Sequence, residues 1–128
     1  MRKRSATLTP AELEIMRIVW GRSEATVRDV YETLRERRKV AQTTVLTVMA
    51  VLEAKGYLKR RAGQRPAVYL PTQLETAVER SMVREFIDRV FKGATGPLLV
   101  HLIEDRRVSP AELEDLTRRV KASREKKR

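Results

Sequence analysis

The sequence predicts a mainly α fold with one small β-hairpin. Three observations carry that reading. Apolar residues recur at helical spacing, most clearly at Val45, Val48, Met49 and Leu52, which fall at i, i+3, i+4 and i+7. A Ser or Thr stands three residues ahead of a Glu before three such stretches, at Thr9 and Glu12, Thr72 and Glu75, and Ser109 and Glu112. Residues 57–61 and 67–70 alternate as strands do, on either side of the turn residues Gly63, Gln64 and Arg65.

Residues 1–8 read as a basic arm bearing Arg2, Lys3 and Arg4, either solvated or in contact with an anion. Thr9 and Glu12 form a capping box with Pro10 at the first helical position, so a helix runs from there to about Trp20. It buries Leu13, Met16, Val19 and Trp20, and Gly21 ends it. A second helix spans about 26–37, with Val27, Val30, Tyr31 and Leu34 on its apolar face. Most of the charges around it form a solvated face, while Arg38 and Lys39, in the following turn, are better placed to reach phosphate.

A third helix covers 42–55 and stops at Gly56. Opposite its apolar face lie Thr43, Thr47, Ala50 and Ala54, a slim surface of hydroxyls and small side chains. Directly after it come Lys59, Arg60, Arg61 and Arg65 around the hairpin turn. A slim helix face beside a basic hairpin is what a DNA major groove and its flanking phosphates ask for. Two amphipathic helices across a short turn fit many helix pairs; three helices followed by a β-hairpin make a winged helix-turn-helix.

The box at Thr72 and Glu75 opens a long helix to about Lys92, with Leu74, Val78, Met82, Phe86 and Val90 spaced by four. Gly93 and the Gly96-Pro97 pair break it. A shorter helix follows, with Leu98, Leu99, Leu102 and Ile103 on one side, and the box at Ser109 starts a last helix through Leu113, Leu116 and Val120. These three helices carry more apolar surface than about 50 residues can bury alone. They therefore pack on the winged helix or pair with a second copy, and a reader of a two-fold DNA site favours the pair. The expected organisation is a winged-helix domain at 1–72, a helical dimerisation domain at 73–122 and a basic tail at 123–128. Its candidate dimerisation residues are Val78, Met82, Phe86, Val90, Leu98, Leu99, Leu102, Ile103, Leu113 and Leu116.

The chain has 128 residues and a formal net charge of +11. Residues 1–72 hold 15 Lys/Arg against 7 Asp/Glu, residues 73–120 hold 8 against 9, and the last eight hold 5 against 1. The basic surplus thus accompanies the third helix and hairpin, which favours an anionic partner for that part. Cysteine is absent, which excludes disulfides and thiolate metal sites, and the lone His101 cannot hold a metal by itself. No apolar run is long enough to span a membrane and the Met-Arg-Lys-Arg start lacks a signal segment, so a cytoplasmic protein without metal or cofactor is expected. With one His, no Cys and no glycine-rich phosphate loop, a catalytic constellation cannot be assembled. Other readings are a winged helix used for protein contacts, RNA binding without the usual stacking aromatics, and membrane-surface binding by a tail that has no apolar face.

The run 8–20 (LTPAELEIMRIVW), Thr43 to Met49 (TTVLTVM), Leu52 to Leu58 (LEAKGYL) and Phe86 to Gly93 (FIDRVFKG) resemble the penicillinase-repressor family of BlaI/MecI type over nearly the whole chain. The resemblance implies homodimeric transcriptional repressors with an N-terminal winged helix and a C-terminal dimerisation part, bound to operator dyads with TACA/TGTA-like half-sites. Carried onto this sequence, Thr44 and Thr47 look like recognition-helix contacts to DNA, with Thr43 beside them. Where the family often has basic or amide side chains, this chain has Leu46, Ala50 and Val51, and a thymine methyl is one partner open to Leu46 or Ala50. The resemblance also implies a regulatory protease that relieves repression by cutting an Asn-Phe bond; the corresponding place here is Val100-His101-Leu102, without that pair. The cysteine motif of the copper-responsive relatives is absent.

The expected contacts are Gln42, Thr43, Thr44 and Thr47 at base edges or phosphates. Arg60, Arg61 and Arg65 hold the backbone from the wing, aided by Lys39 and Lys55. The expected partners are double-stranded operator DNA and a second copy of the chain.

Overall fold

Local chemistry sets the helix ends of the N-terminal half. The structure, a computed structural model, describes residues 7–127, so the basic arm at Arg2, Lys3 and Arg4 lies outside the described residues. Thr9 caps α1 (Pro10–Arg22): its hydroxyl accepts from the Glu12 N–H, and the Glu12 carboxylate accepts from the Thr9 N–H at 2.9 Å. Gly21 does not end this helix. The stop comes at Ser23, whose φ of 73° turns the chain while its N–H returns to the Trp20 carbonyl. Leu8, expected in the basic arm, is buried in the core.

Helix α2 (Val27–Arg35) starts at a capping box formed by Thr26 and Asp29 and ends two residues earlier than the apolar pattern suggests. Helix α3 (Gln42–Ala54) closes with Gly56 at φ 89°, the Gly56 N–H on Glu53 and the Tyr57 N–H on Leu52, both carbonyls of the last turn. That pair of bonds needs a left-handed residue, which glycine supplies without strain. Strands β1 (Leu58–Arg60) and β2 (Tyr69–Pro71) pair antiparallel with Leu58 opposite Pro71 and Arg60 opposite Tyr69. The strands are shorter than expected. Ala25 adds a bridge to Tyr69, so the segment before α2 lies along the hairpin edge.

One core joins these pieces. It contains Ile15, Met16, Ile18 and Val19 of α1, Val30 and Leu34 of α2, Val45, Met49 and Leu52 of α3, and Tyr57, Leu58 and Tyr69 of the hairpin. Burial of this apolar surface, rather than helix propensity, holds short helices of this kind in place.

Helix α4 (Glu75–Phe91) corrects two expectations. Thr72 is not its cap: the Thr72 hydroxyl donates to the Gly56 carbonyl at 2.6 Å, and the helix starts on the Leu74 carbonyl instead. Val78 is 2% exposed within the winged-helix core, and Met82 packs against that core. Val78, expected at a dimer interface, is therefore a core residue of the N-terminal part, and Met82 is partly buried beside it, because the first turns of α4 complete the winged helix. The chain accordingly divides into compact units at Glu85 and Phe86 rather than near residue 72.

The second unit holds the end of α4 with α5 (Thr95–Glu104) and α6 (Pro110–Lys126). Gly96 and Pro97 fall inside the first turn of α5, where a missing N–H costs no intrahelical bond. Ser109 caps α6, accepting from the Glu112 N–H at 3.0 Å. Helix α6 continues to Lys126, so residues 123–126 extend a helix where a separate tail was expected. No helix among the described residues is long and apolar enough to cross a membrane.

Candidate nucleic-acid interface

Helix α3 is divided sharply between its two faces. Val45, Met49 and Leu52 are fully buried, which fixes the opposite face outward. Thr43, Thr44 and Thr47 are exposed there, together with Leu46, Ala50, Val51 and Ala54, and Gln42 is exposed at the first residue of the helix. The Thr47 hydroxyl donates to the Thr43 carbonyl at 3.0 Å. No side chain caps the first turn. The three threonines thus share one solvent-facing, uncharged surface, while Gln42, at the exposed start of the helix, lies above the buried Val45 and Met49 rather than on that surface.

The wing supplies the charge. Arg60 and Arg61 stand at the hairpin and Arg65 in its exposed turn, beside Lys59. Arg60 Nε donates to the Glu53 carboxylate at 3.0 Å and its guanidinium sits 5.8 Å from the Tyr69 ring centre. Arg61 makes a two-pronged bond to the Glu24 carboxylate. A guanidinium is charged at any ordinary pH, and the bonds to these carboxylates raise the pKa of both arginines further. Both pairs are exposed, and exposed pairs contribute little to stability and exchange readily for other anions. Glu24 and Glu53 were not foreseen as partners. Lys39, Lys59 and Arg65 make no ion pair among the described residues and are exposed.

Lys55 behaves differently from its expected role. Its ammonium donates to both oxygens of Glu12, at 2.8 and 3.1 Å, and Glu12 is 5% exposed. An isolated carboxylate at such a place is costly, and the lysine offsets that cost. Lys55 thus ties the end of α3 to the start of α1 rather than standing free for phosphate. Arg38 is similarly engaged, with Glu14 at 2.6 Å.

Comparison with known proteins decides the family. The family model of the penicillinase repressors matches residues 8–122. The chain belongs to the penicillinase repressor family. Among its relatives in that family, the methicillin resistance regulatory protein MecI of Mammaliicoccus sciuri is 25% identical over 116 residues, covering 91% of this chain and 94% of that protein. The penicillinase repressor of Bacillus licheniformis is 25% identical over 114 residues, covering 89% of each. Among solved structures, the DNA binding domain of the repressor BlaI aligns with a TM-score of 0.51 at 29% identity, covering 59% of this chain and 92% of that one. The N-terminal part of the chain therefore has the winged-helix fold of that DNA binding domain.

Proposed function

We propose that this chain is a transcriptional repressor that binds an operator dyad as a homodimer. Helix α3 enters the major groove, Gln42, Thr43, Thr44 and Thr47 face base edges or phosphates, and Arg60, Arg61 and Arg65 hold the backbone, with Lys39 nearby. The observation that carries this reading is the exposed, uncharged face of α3 set beside a basic wing, in a chain that belongs to a repressor family. A slim helix face fits the width of the groove, and permanent cations beside it meet the phosphates. Repression follows from occupying the promoter and excluding polymerase.

Dimerisation is supported by the second unit. None of the described residues of α5 or α6 is buried, while Phe86, Val90, Leu99, Val100, Leu116 and Val120 are exposed. A helical unit with so little internal burial is stabilised by pairing. Pairing also supplies two winged helices, which raises affinity for a dyad through effective concentration.

Nuclease footprinting of the DNA upstream of the chain's own gene tests the proposal. The expected result is a protected stretch with two-fold symmetry, both halves filling at the same protein concentration. Uniform partial protection without a boundary would overturn it and favour a winged helix that serves protein contacts.

A further inference from the structure

Hydrogen-bonding capacity on the outer face of α3 is confined to its beginning. Gln42, Thr43 and Thr44 lie in the first turn. Thr47, one turn on, has already given its hydroxyl hydrogen to the Thr43 carbonyl, so it offers a groove an acceptor and a methyl group. Beyond it the face consists of Ala50, Val51 and Ala54, with Leu46 beside Thr47. None of these four side chains has a polar atom. Leu46 is 49% exposed and Val51 is 39% exposed, so two branched aliphatic groups project from the middle of the helix.

The major groove offers few partners for such groups. Most base-edge positions there are hydrogen-bond donors or acceptors, and covering one with an aliphatic side chain strips its water without replacing the bond. The C5-methyl of thymine is the apolar exception. Arg60, bonded to Glu53 of α3, and the other exposed wing cations Lys59, Arg61 and Arg65 make a polyanion the complementary partner of this part of the chain, which argues against an apolar protein surface as the occupant.

We propose that Leu46 and Val51 select thymine at defined half-site positions by packing against its C5-methyl. Base readout is then split along α3: hydrogen bonds from the first turn, methyl contacts from the second and third. This inference rests on the reading of α3 as the groove-facing helix and specifies the chemistry of its target.

The test begins with selection of binding sites for the full chain from a random duplex pool. Each thymine of the selected site is then replaced singly by uracil, which removes the methyl and leaves every hydrogen-bonding group in place. At one or more positions per half-site, uracil is expected to weaken binding by about fourfold, the worth of one buried methyl-sized group. Leu46→Ala or Val51→Ala should abolish that sensitivity at one position while leaving the others unchanged. Both side chains are exposed, so neither substitution opens a cavity in the core. Uracil tolerated at every position, or a uracil penalty undiminished in both variants, would overturn the methyl readout and leave the repressor reading intact. Recovery of no enriched sequence would overturn both.

Discussion

Glu12 serves two partners from one buried carboxylate. It closes the capping box with Thr9 and receives the Lys55 ammonium, so the start of α1 and the end of α3 share a single charge. The box was legible in the sequence because its members lie three residues apart. The lysine was not, since it comes from 43 residues away and no local pattern announces it. Lys55→Met strands the carboxylate; with the lysine side chain one-third exposed, solvent screening limits the loss to about 1–2 kcal/mol, read as a lower urea midpoint. Burial pushes the Glu12 pKa up, but the bonds from Lys55 and from the Thr9 N–H and hydroxyl outweigh it and leave the group below its ordinary value. A lowered folded pKa means that the unfolded chain binds the proton more tightly. The stabilisation is therefore complete above the unfolded value and is lost as pH falls through the folded one. Glu12→Gln should flatten the loss of stability across that acid window, measured by urea unfolding at stepped pH. An unchanged slope would show that Glu12 does not govern it.

At the scale of the element, α3 was the most legible part of the chain. Its 3.6-residue period separates Val45, Met49 and Leu52 from the exposed threonines without ambiguity, and Gly56 marks its end. The first residue of α4 was misplaced because Thr72 and Glu75 have capping-box spacing, yet the Thr72 hydroxyl finds the Gly56 carbonyl. The box at Thr26 and Asp29 carried the same signal with a shorter acid and was available to a closer reading. The partners of the wing arginines could not be read, since Glu53 and Glu24 lie 7 and 37 residues away. Two substitutions separate the helix from the wing. Thr47→Arg places a two-pronged donor on the exposed face of α3 and, if that face enters the groove, should shift the selected base toward guanine at one position, assayed by site selection. Arg61→Ala should weaken all duplexes about equally and lower the salt slope by about one unit. A loss confined to one operator would assign Arg61 to base readout instead.

At the scale of the whole molecule, the division within α4 shows how one helix contributes to both units. Periodicity alone treats residues 74–90 as one apolar series, but Val78 is buried in the winged helix while Val90 is exposed in the second unit. Spacing cannot say which neighbour covers each member of such a series. If the exposed face of the second unit pairs two chains, Val90→Glu or Leu116→Glu should weaken self-association by at least about tenfold in sedimentation. The urea transition of the winged helix should persist in both variants. The central claim, sequence-specific binding by a dimer, is tested most directly by fluorescence anisotropy of the full chain. The DNA upstream of its own gene and a scrambled duplex of equal length are compared through a salt series. The account predicts saturation at two chains per dyad, surviving at salt concentrations that abolish binding to the scrambled duplex. Loss of both complexes together, at the same salt, would contradict it and leave a basic protein with nonspecific affinity for DNA.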